Sequence, residues 1–202
     1  MRLDDKIYAV KRVQFKDKEN RVLKEVKSLS KLDSNFVVKY YNSWTEGKHL
    51  YIQMEYCPQT LADVLKDKER AFGRQSPDES MTVFEYFMSC ELFRELLQCL
   101  EYLHNQNPKV IHRDLKPSNI LISRTITNNT FIKLGDFGLA TEHHRPSNSH
   151  TRGAGTPDYM APEVHLYNTY DCRADVYSLS LPNGPPVIKY WKRLASGQSI
   201  MT

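Results

Sequence analysis

The sequence predicts an α+β fold of two unlike lobes with a cleft between them. Three observations carry this. Residues 7–57 combine strand-like runs with one amphipathic helix. Residues 58–180 are mainly helical in pattern, with one long periodic stretch over 83–105. The character changes at Cys57-Pro58, where a connection between two lobes belongs. The expected organisation is a small lobe over 1–57, a large lobe over 58–180 and a divergent tail over 181–202.

The elements follow in order. IYAVKRVQ at 7–14 is rich in β-branched residues and reads as a strand. Val22, Val26 and Leu29 recur at helical spacing, which predicts a helix over 19–32 that Asp33-Ser34 ends. FVVKYYNSW and HLYIQMEYC flank Glu46-Gly47-Lys48 and read as a hairpin. Thr60 and Asp63 form a capping signature for a short helix carrying Leu61 and Leu65. Residues 70–80 read as a polar loop. Thr82 and Glu85 cap the long helix, whose core face is expected to hold Phe84, Met88, Phe93, Leu96, Leu97, Leu100 and Leu103. Short strands are expected at 119–122 and 131–134, followed by a polar loop over 141–153.

Composition narrows the function classes. Of the 202 residues, 40% are hydrophobic and 26% charged, a balance that suits a folded chain rather than a disordered one. The formal net charge of +4 comes from Lys and Arg mixed among Asp and Glu, which reads as a solvated surface and not as a nucleic-acid patch. Cys57, Cys90, Cys99 and Cys172 make no C-x-x-C pair, so neither a zinc site nor a disulfide framework is expected. That usage fits a reducing compartment, and a cytoplasmic location is expected. The charged start MRLDDKIYAV does not read as a signal peptide, and no apolar run reaches membrane-spanning length. His143, His144 and His150 lack acidic or Cys partners at ligand spacing and read as solvated loop residues.

Four motifs occur in order: Tyr8-Ala9-Val10-Lys11, IHRDLKPSNILI at 111–122, Asp136-Phe137-Gly138 and Ala161-Pro162-Glu163. Asp114 and Asn119 stand five apart, with Lys116 and Pro117 between them. On these motifs the chain resembles the eukaryotic protein kinase superfamily to about Leu179. The resemblance implies a bilobal protein-kinase-like fold. Lys116 is similar to the Ser/Thr branch, since tyrosine kinases usually carry Ala or Arg nearby. KEVKSLSKL, VVKYYNSW, LYIQMEYC, KLGDFGLAT and TRGAGTPDYMAPE resemble the kinases of translation initiation factor 2 alpha, although no long acidic insert separates Trp44 from His49.

The resemblance assigns roles that suit phosphoryl transfer, which depends on positioning and charge neutralisation. Asp114 would accept the hydroxyl proton, and Lys116 would neutralise the γ-phosphate. Asn119 and Asp136 would hold Mg2+, which favours hard oxygen ligands. Lys11, steadied by Glu25, would bind the phosphates of ATP. Met54 would stand as gatekeeper, Glu55 and Cys57 would offer backbone hydrogen bonds to adenine, and Ala9 and Leu121 would sandwich the ring. Leu29, His112 and Phe137 would stack between the lobes. Asp175 would tie down the His-Arg-Asp loop. Arg113 would grip a phosphate on the segment 141–156. Thr151 and Thr156 are its candidate acceptors, with Thr156 alternatively a structural hydroxyl near Asp114. A protein substrate is implied, namely initiation factor 2 alpha, with dimerisation in the complete protein and no direct contact with nucleic acid or membrane.

The chain departs from the family at both ends. No G-x-G-x-x-G occurs, and Pro182, Pro185 and Pro186 cannot continue a helix. The expectation is an incomplete fold whose small lobe lacks its first two strands and whose large lobe lacks its late helices. Two functions follow: a Ser/Thr kinase, or an impaired relative acting as a binding or decoy module. The chain expressed alone is expected to transfer little phosphate, and the long helix to leave apolar surface open.

Overall fold

A computed structural model gives the fold. It describes residues 6–14, 26–73, 79, 82–127, 130–144 and 149–180, and the side chains of Glu69 and 124–127 lie outside that description. The tail 181–202 and Glu25 fall outside it as well.

Strand β1 (Tyr8–Gln14) pairs antiparallel with β3 (His49–Glu55), which also pairs with β2 (Tyr40–Glu46), giving the order β1-β3-β2. Period-2 alternation puts Leu50 and Ile52 inside at 3% and 0% exposure. Their neighbours Tyr51 and Gln53 stay half-buried on the other face. Glu46 pairs with His49, so Gly47 and Lys48 form the turn, and Gly47 supplies the positive φ of 56° that this turn needs. Helix α1 is described over 26–31 and buries Leu29.

The predicted strand FVVKYYNSW is shorter than its pattern. Residues 36–38 leave the small sheet and join β7 (Thr130–Leu134): Val38 N–H donates to Leu134 O at 2.9 Å, and Leu134 N–H to Phe36 O at 2.8 Å. Val37 and Val38 are buried there, so β-branched character served an interlobe joint and not a longer strand.

After the short strand β4 (Gln59–Thr60) comes helix α2 (Leu61–Lys66), which opens with a complete capping box: Thr60 accepts from Asp63 N–H, and Asp63 accepts from Thr60 N–H. Helix α3 (Lys68–Ala71) occupies the start of the segment read as a polar loop. Helix α4 (Val83–His104) begins where Thr82 caps Glu85 N–H.

The inward face of α4 differs from its hydrophobic pattern. Leu96, Cys99, Leu100 and Leu103 are buried, but Phe84 is 64% and Leu97 44% exposed. Glu85, Ser89 and Glu95 turn inward instead. The cause is visible at Glu95, whose carboxylate accepts the N–H groups of Phe131 and Ile132, both at 3.0 Å, at the edge of β7. A buried backbone donor needs a partner, and a charged acceptor fills that need at a position where periodicity suggests Leu or solvent.

Strand β5 (Lys109–Ile111) pairs with β8 (Thr141–His143), although 141–153 reads as loop. Strand β6 (Ile120–Thr127) lies between β4 and β7. Helices α5 (Pro162–Leu166) and α6 (Arg173–Leu179) follow. One apolar cluster runs through both lobes, from Leu29 and Val38 through Leu61, Leu96 and Leu103 to Ile132 and Phe137. A smaller one joins Met160, Val164, Tyr170 and Ala174. Among the described residues no helix is long and apolar enough to cross a membrane.

The face assignment of α4 is testable. Leu103→Ala should destabilise the chain by about 2–5 kcal/mol in urea unfolding, because it empties a fully buried site. Leu97→Ala should shift stability by no more than about 0.5 kcal/mol. Equal losses would contradict the assignment.

Candidate active site

The motif 112–119 is held by one carboxylate. Asp175, fully buried in α6, accepts the backbone N–H groups of His112 and Arg113, each at 2.9 Å, and contacts His104 Nε2 at 2.9 Å. Arg113 carries a positive φ of 69°, uncommon for a side chain of that size, and the two bonds to Asp175 hold it there. Asp114 N–H donates to His112 Nδ1 at 3.3 Å, which leaves Nε2–H to donate to Gly135 O at 3.0 Å. His112 also meets the edge of Phe137, ring centroids 4.9 Å apart. Both are buried, as is Leu29.

Pro117 starts a 3-10 turn over Pro117–Asn119 that folds Asn119 back onto Asp114. Asn119 Nδ2 donates to Asp114 O at 2.8 Å and to Asp114 Oδ2 at 2.9 Å. Lys116 Nζ lies 3.0 Å from the same Oδ2. Thr156 Oγ1 donates to Asp114 Oδ1 at 2.6 Å and accepts from Lys116 Nζ at 2.8 Å. Of the two readings of Thr156, this contact favours the structural hydroxyl. Gly155 makes the approach feasible, because a Cβ there would stand 2.6 Å from Arg113 O.

Strand β7 delivers Asp136, which takes a left-handed turn at φ 57°. Lys11 Nζ donates to Asp136 Oδ1 at 2.8 Å across the cleft. Burial acts to raise the Asp136 carboxyl. The hydrogen bond and charge of Lys11, helped by Gly138 N–H and His112, outweigh it and hold the carboxyl below its ordinary value.

A cavity of about 330 Å³ brings most of the remaining candidates together: Ala9, Lys11, Met54, Glu55, Cys57, Asn119, Leu121 and Asp136 line it. Val38 and Gly135 line it too, without having been singled out from sequence. Nothing short of the 36–38 joint to β7 reveals Val38. The Cys57 thiol is pushed up to about 11 by burial, with Glu55 adding to the rise and Lys133 opposing it, so it is un-ionised. A larger open cleft of about 800 Å³ involves Lys109, His143, Tyr170 and Cys172, but holds no acidic, lysine or asparagine side chain of the four motifs.

Arg113 and Thr151 are linked through a residue the motifs did not indicate. The Arg113 guanidinium donates to Leu139 O and, at 3.0 Å, to the Tyr170 hydroxyl. Tyr170 in turn donates to Thr151 O at 2.9 Å, and Thr151 itself is exposed. His143 and His150 are not the solvated loop residues expected. His143 Nδ1 and His150 Nε2 stand 2.9 Å apart, and His150 packs on Tyr170. Burial, then the Arg113 and His143 charges, pull the His150 imidazole below its usual value. Among the described residues no group of three or more His, Cys, Asp or Glu is placed to hold a metal ion.

Residues 1–182 match the family described as the protein kinase domain. The chain belongs to the protein kinase family. It is 32% identical over 201 residues to the interferon-induced, double-stranded RNA-activated protein kinase of Rattus norvegicus, covering 89% of this chain and 36% of the relative. It is 30% identical over 240 residues to the eIF-2-alpha kinase GCN2 of Arabidopsis thaliana, covering 89% of this chain and 18% of the relative. The serine/threonine-protein kinase cst-1 of Caenorhabditis elegans is 31% identical over 176 residues, covering 87% of this chain and 32% of that protein. The chain thus spans about a third or less of the length of these relatives. The α+β kinase architecture and the Ser/Thr branch accord with these matches.

The Lys11–Asp136 pair makes a prediction with a defined sign. A depressed carboxyl stabilises the fold above its unfolded value of about 3.9, and that contribution is lost as pH falls through the folded value. Lys11→Met removes the largest lowering contacts and leaves the burial, so Asp136 should titrate at higher pH, read by carboxyl NMR. An unchanged Asp136 titration would show that Lys11 does not set it.

Proposed function

We propose that this domain, in its complete form, binds Mg-ATP in the 330 Å³ cavity and transfers its γ-phosphoryl group to a Ser of a protein substrate, translation initiation factor 2 alpha. The observation carrying this is the pairing of Asp114 with Asn119, Lys116 and Thr156 at one end of the cleft, with Lys11 and Asp136 at the other.

Asp114 serves as the proton acceptor. Three donors fix its carboxylate, so it pays no reorientation at the moment of reaction. Lys116 supplies positive charge beside it for the transferring phosphoryl group, and Lys11 does so for the nucleotide phosphates. Asn119 and Asp136 suit Mg2+: the Asn119 amide nitrogen is committed to Asp114, leaving its oxygen for a cation, and the Asp136 side chain is 46% exposed. Such an ion, when bound, neutralises phosphate charge. Ala9 and Leu121 offer apolar walls for the base, with Met54 as gatekeeper and the Glu55 and Cys57 backbone as its polar edge. Support for the substrate comes from KEVKSLSKL, VVKYYNSW and LYIQMEYC, and from the name of the Arabidopsis relative. A cytoplasmic setting accords with that substrate. Exposed Val10, Tyr41 and Trp44 on the small lobe suit self-association in the complete protein.

A second reading, a binding module without turnover, draws support from the exposed Val83, Phe84, Phe87 and Leu97 on α4. One assay separates the two. The purified chain is given Mg-ATP with either initiation factor 2 alpha or a generic Ser/Thr peptide. Asp114→Asn should lower any phosphate transfer by about 10²–10⁴-fold. Nucleotide binding without transfer supports the binding module, and equal rates on both acceptors remove the substrate assignment.

Regulation follows from the Arg113–Tyr170–Thr151 chain of contacts. A phosphate on exposed Thr151 would draw Arg113 into a charge-assisted pair and fix the segment 149–156 against it. Thr151→Ala should therefore cut the activity of a completed domain strongly in a rate assay. A variant as fast as its parent would show that Thr151 is not the switch.

A further inference from the structure

Lys133 sits on β7 between Ile132 and Leu134, both fully buried. Its own side chain is only 9% exposed, so an ammonium group is nearly enclosed in the region where the two lobes meet. None of the four motifs includes it. A charge in that position needs a partner. The partner is Glu55, whose Oε2 lies 3.2 Å from Lys133 Nζ.

Glu55 ends β3, where the chain leaves the small sheet. Its carboxylate also accepts Lys39 N–H at 3.3 Å, and its own N–H donates to Lys39 O at 2.8 Å. Residues 36–38 are bonded to Leu134 in turn, one residue beyond Lys133. Two residues further on stands Asp136. The crossing segment 55–57, which lines one wall of the cavity, is thus tied by a near-buried ion pair to the strand that delivers Asp136 to the other.

We infer that Lys133 is a positioning residue: through Glu55 it fixes the 55–57 backbone at the separation from β7 that an adenine ring requires. This rests on the nucleotide-binding reading above. Lys133 does not itself line the cavity. Its effect should fall on recognition of the base and spare the phosphate end, where Lys11 and Asp136 stand.

The test compares two probes on the full 202-residue chain. Adenosine reports the base wall, and inorganic tripolyphosphate reports the Lys11 end. Lys133→Met should weaken adenosine about tenfold and leave tripolyphosphate within about twofold. Lys133→Arg, which keeps the charge, should recover most of the loss. Glu55→Gln should reproduce the adenosine defect and serves if Lys133→Met does not fold. Amide hydrogen exchange at 55–57, followed without any ligand, should quicken in Lys133→Met and Glu55→Gln. Adenosine affinity equal to the parent in both folded variants overturns the proposal. So does an equal loss of both probes, which marks a general structural role. If the parent binds neither adenosine nor ATP, the nucleotide reading fails by itself. Exchange at 55–57 then decides the clamp: unchanged rates in both variants overturn it, and faster rates uphold it.

Discussion

The geometry of the site depends on the Asp175 carboxylate. It is fully buried, and a polar group in that position is tolerated only with its hydrogen-bonding capacity filled. Two consecutive backbone N–H groups and a histidine ring fill it. Those two N–H groups can converge on one carboxylate because Arg113 takes a left-handed backbone conformation. That turn sends Asp114 toward Asn119 and Thr156, and the Arg113 side chain toward Leu139 and Tyr170. Without the carboxylate, the strained backbone at Arg113 would relax and the residues that follow would lose their aim.

From that anchor the order spreads through packing. His112 is fixed at its backbone by Asp175 and at its ring by Gly135 O, and its edge contact holds Phe137. Phe137 belongs to the same apolar cluster as Leu29 of the small lobe. Asp136 lies between these two fixed points, which explains how a left-handed residue is held facing Lys11. Rigid supports of this kind let a few polar groups keep their spacing without the cost of ordering them when a ligand arrives.

Much of this was legible in the residues. The strand at 8–14, the turn of the hairpin, the capping box at Thr60 and the extent of the long helix all follow from local pattern and turn chemistry, and each appears near its expected place, although the first hairpin strand starts only at Tyr40. Ala9, Lys11, Asn119, Leu121 and Asp136 line one cleft, Asp114 and Lys116 are joined to it through Asn119, and Glu25 lies outside the described residues. The misreadings share a cause. Phe84 and Leu97 read as core residues and stand exposed, while Glu95 takes an inward place on the same helix. Period and hydropathy rank a residue by its own side chain. They carry no information about a partner distant in the chain that makes burial of a charge favourable.

The sequence by itself determined the chemistry on offer: an aspartate, an asparagine and a lysine on one short loop, a second aspartate after a strand, and a lysine on the first strand. It also determined the alternation of strands and helices that carries them. Only the tertiary structure decided which carboxylate faces which amine. Asp114 is close to Thr156, 42 positions away, Asp136 to Lys11 at 125 positions, and Glu55 to Lys133 across the lobes. Local propensity acts over a turn or a hairpin, whereas these pairings form only when the apolar cluster brings remote segments together. Where the burial is deep, as at Lys133, removal from water then makes an unpaired charge costly and selects the partner.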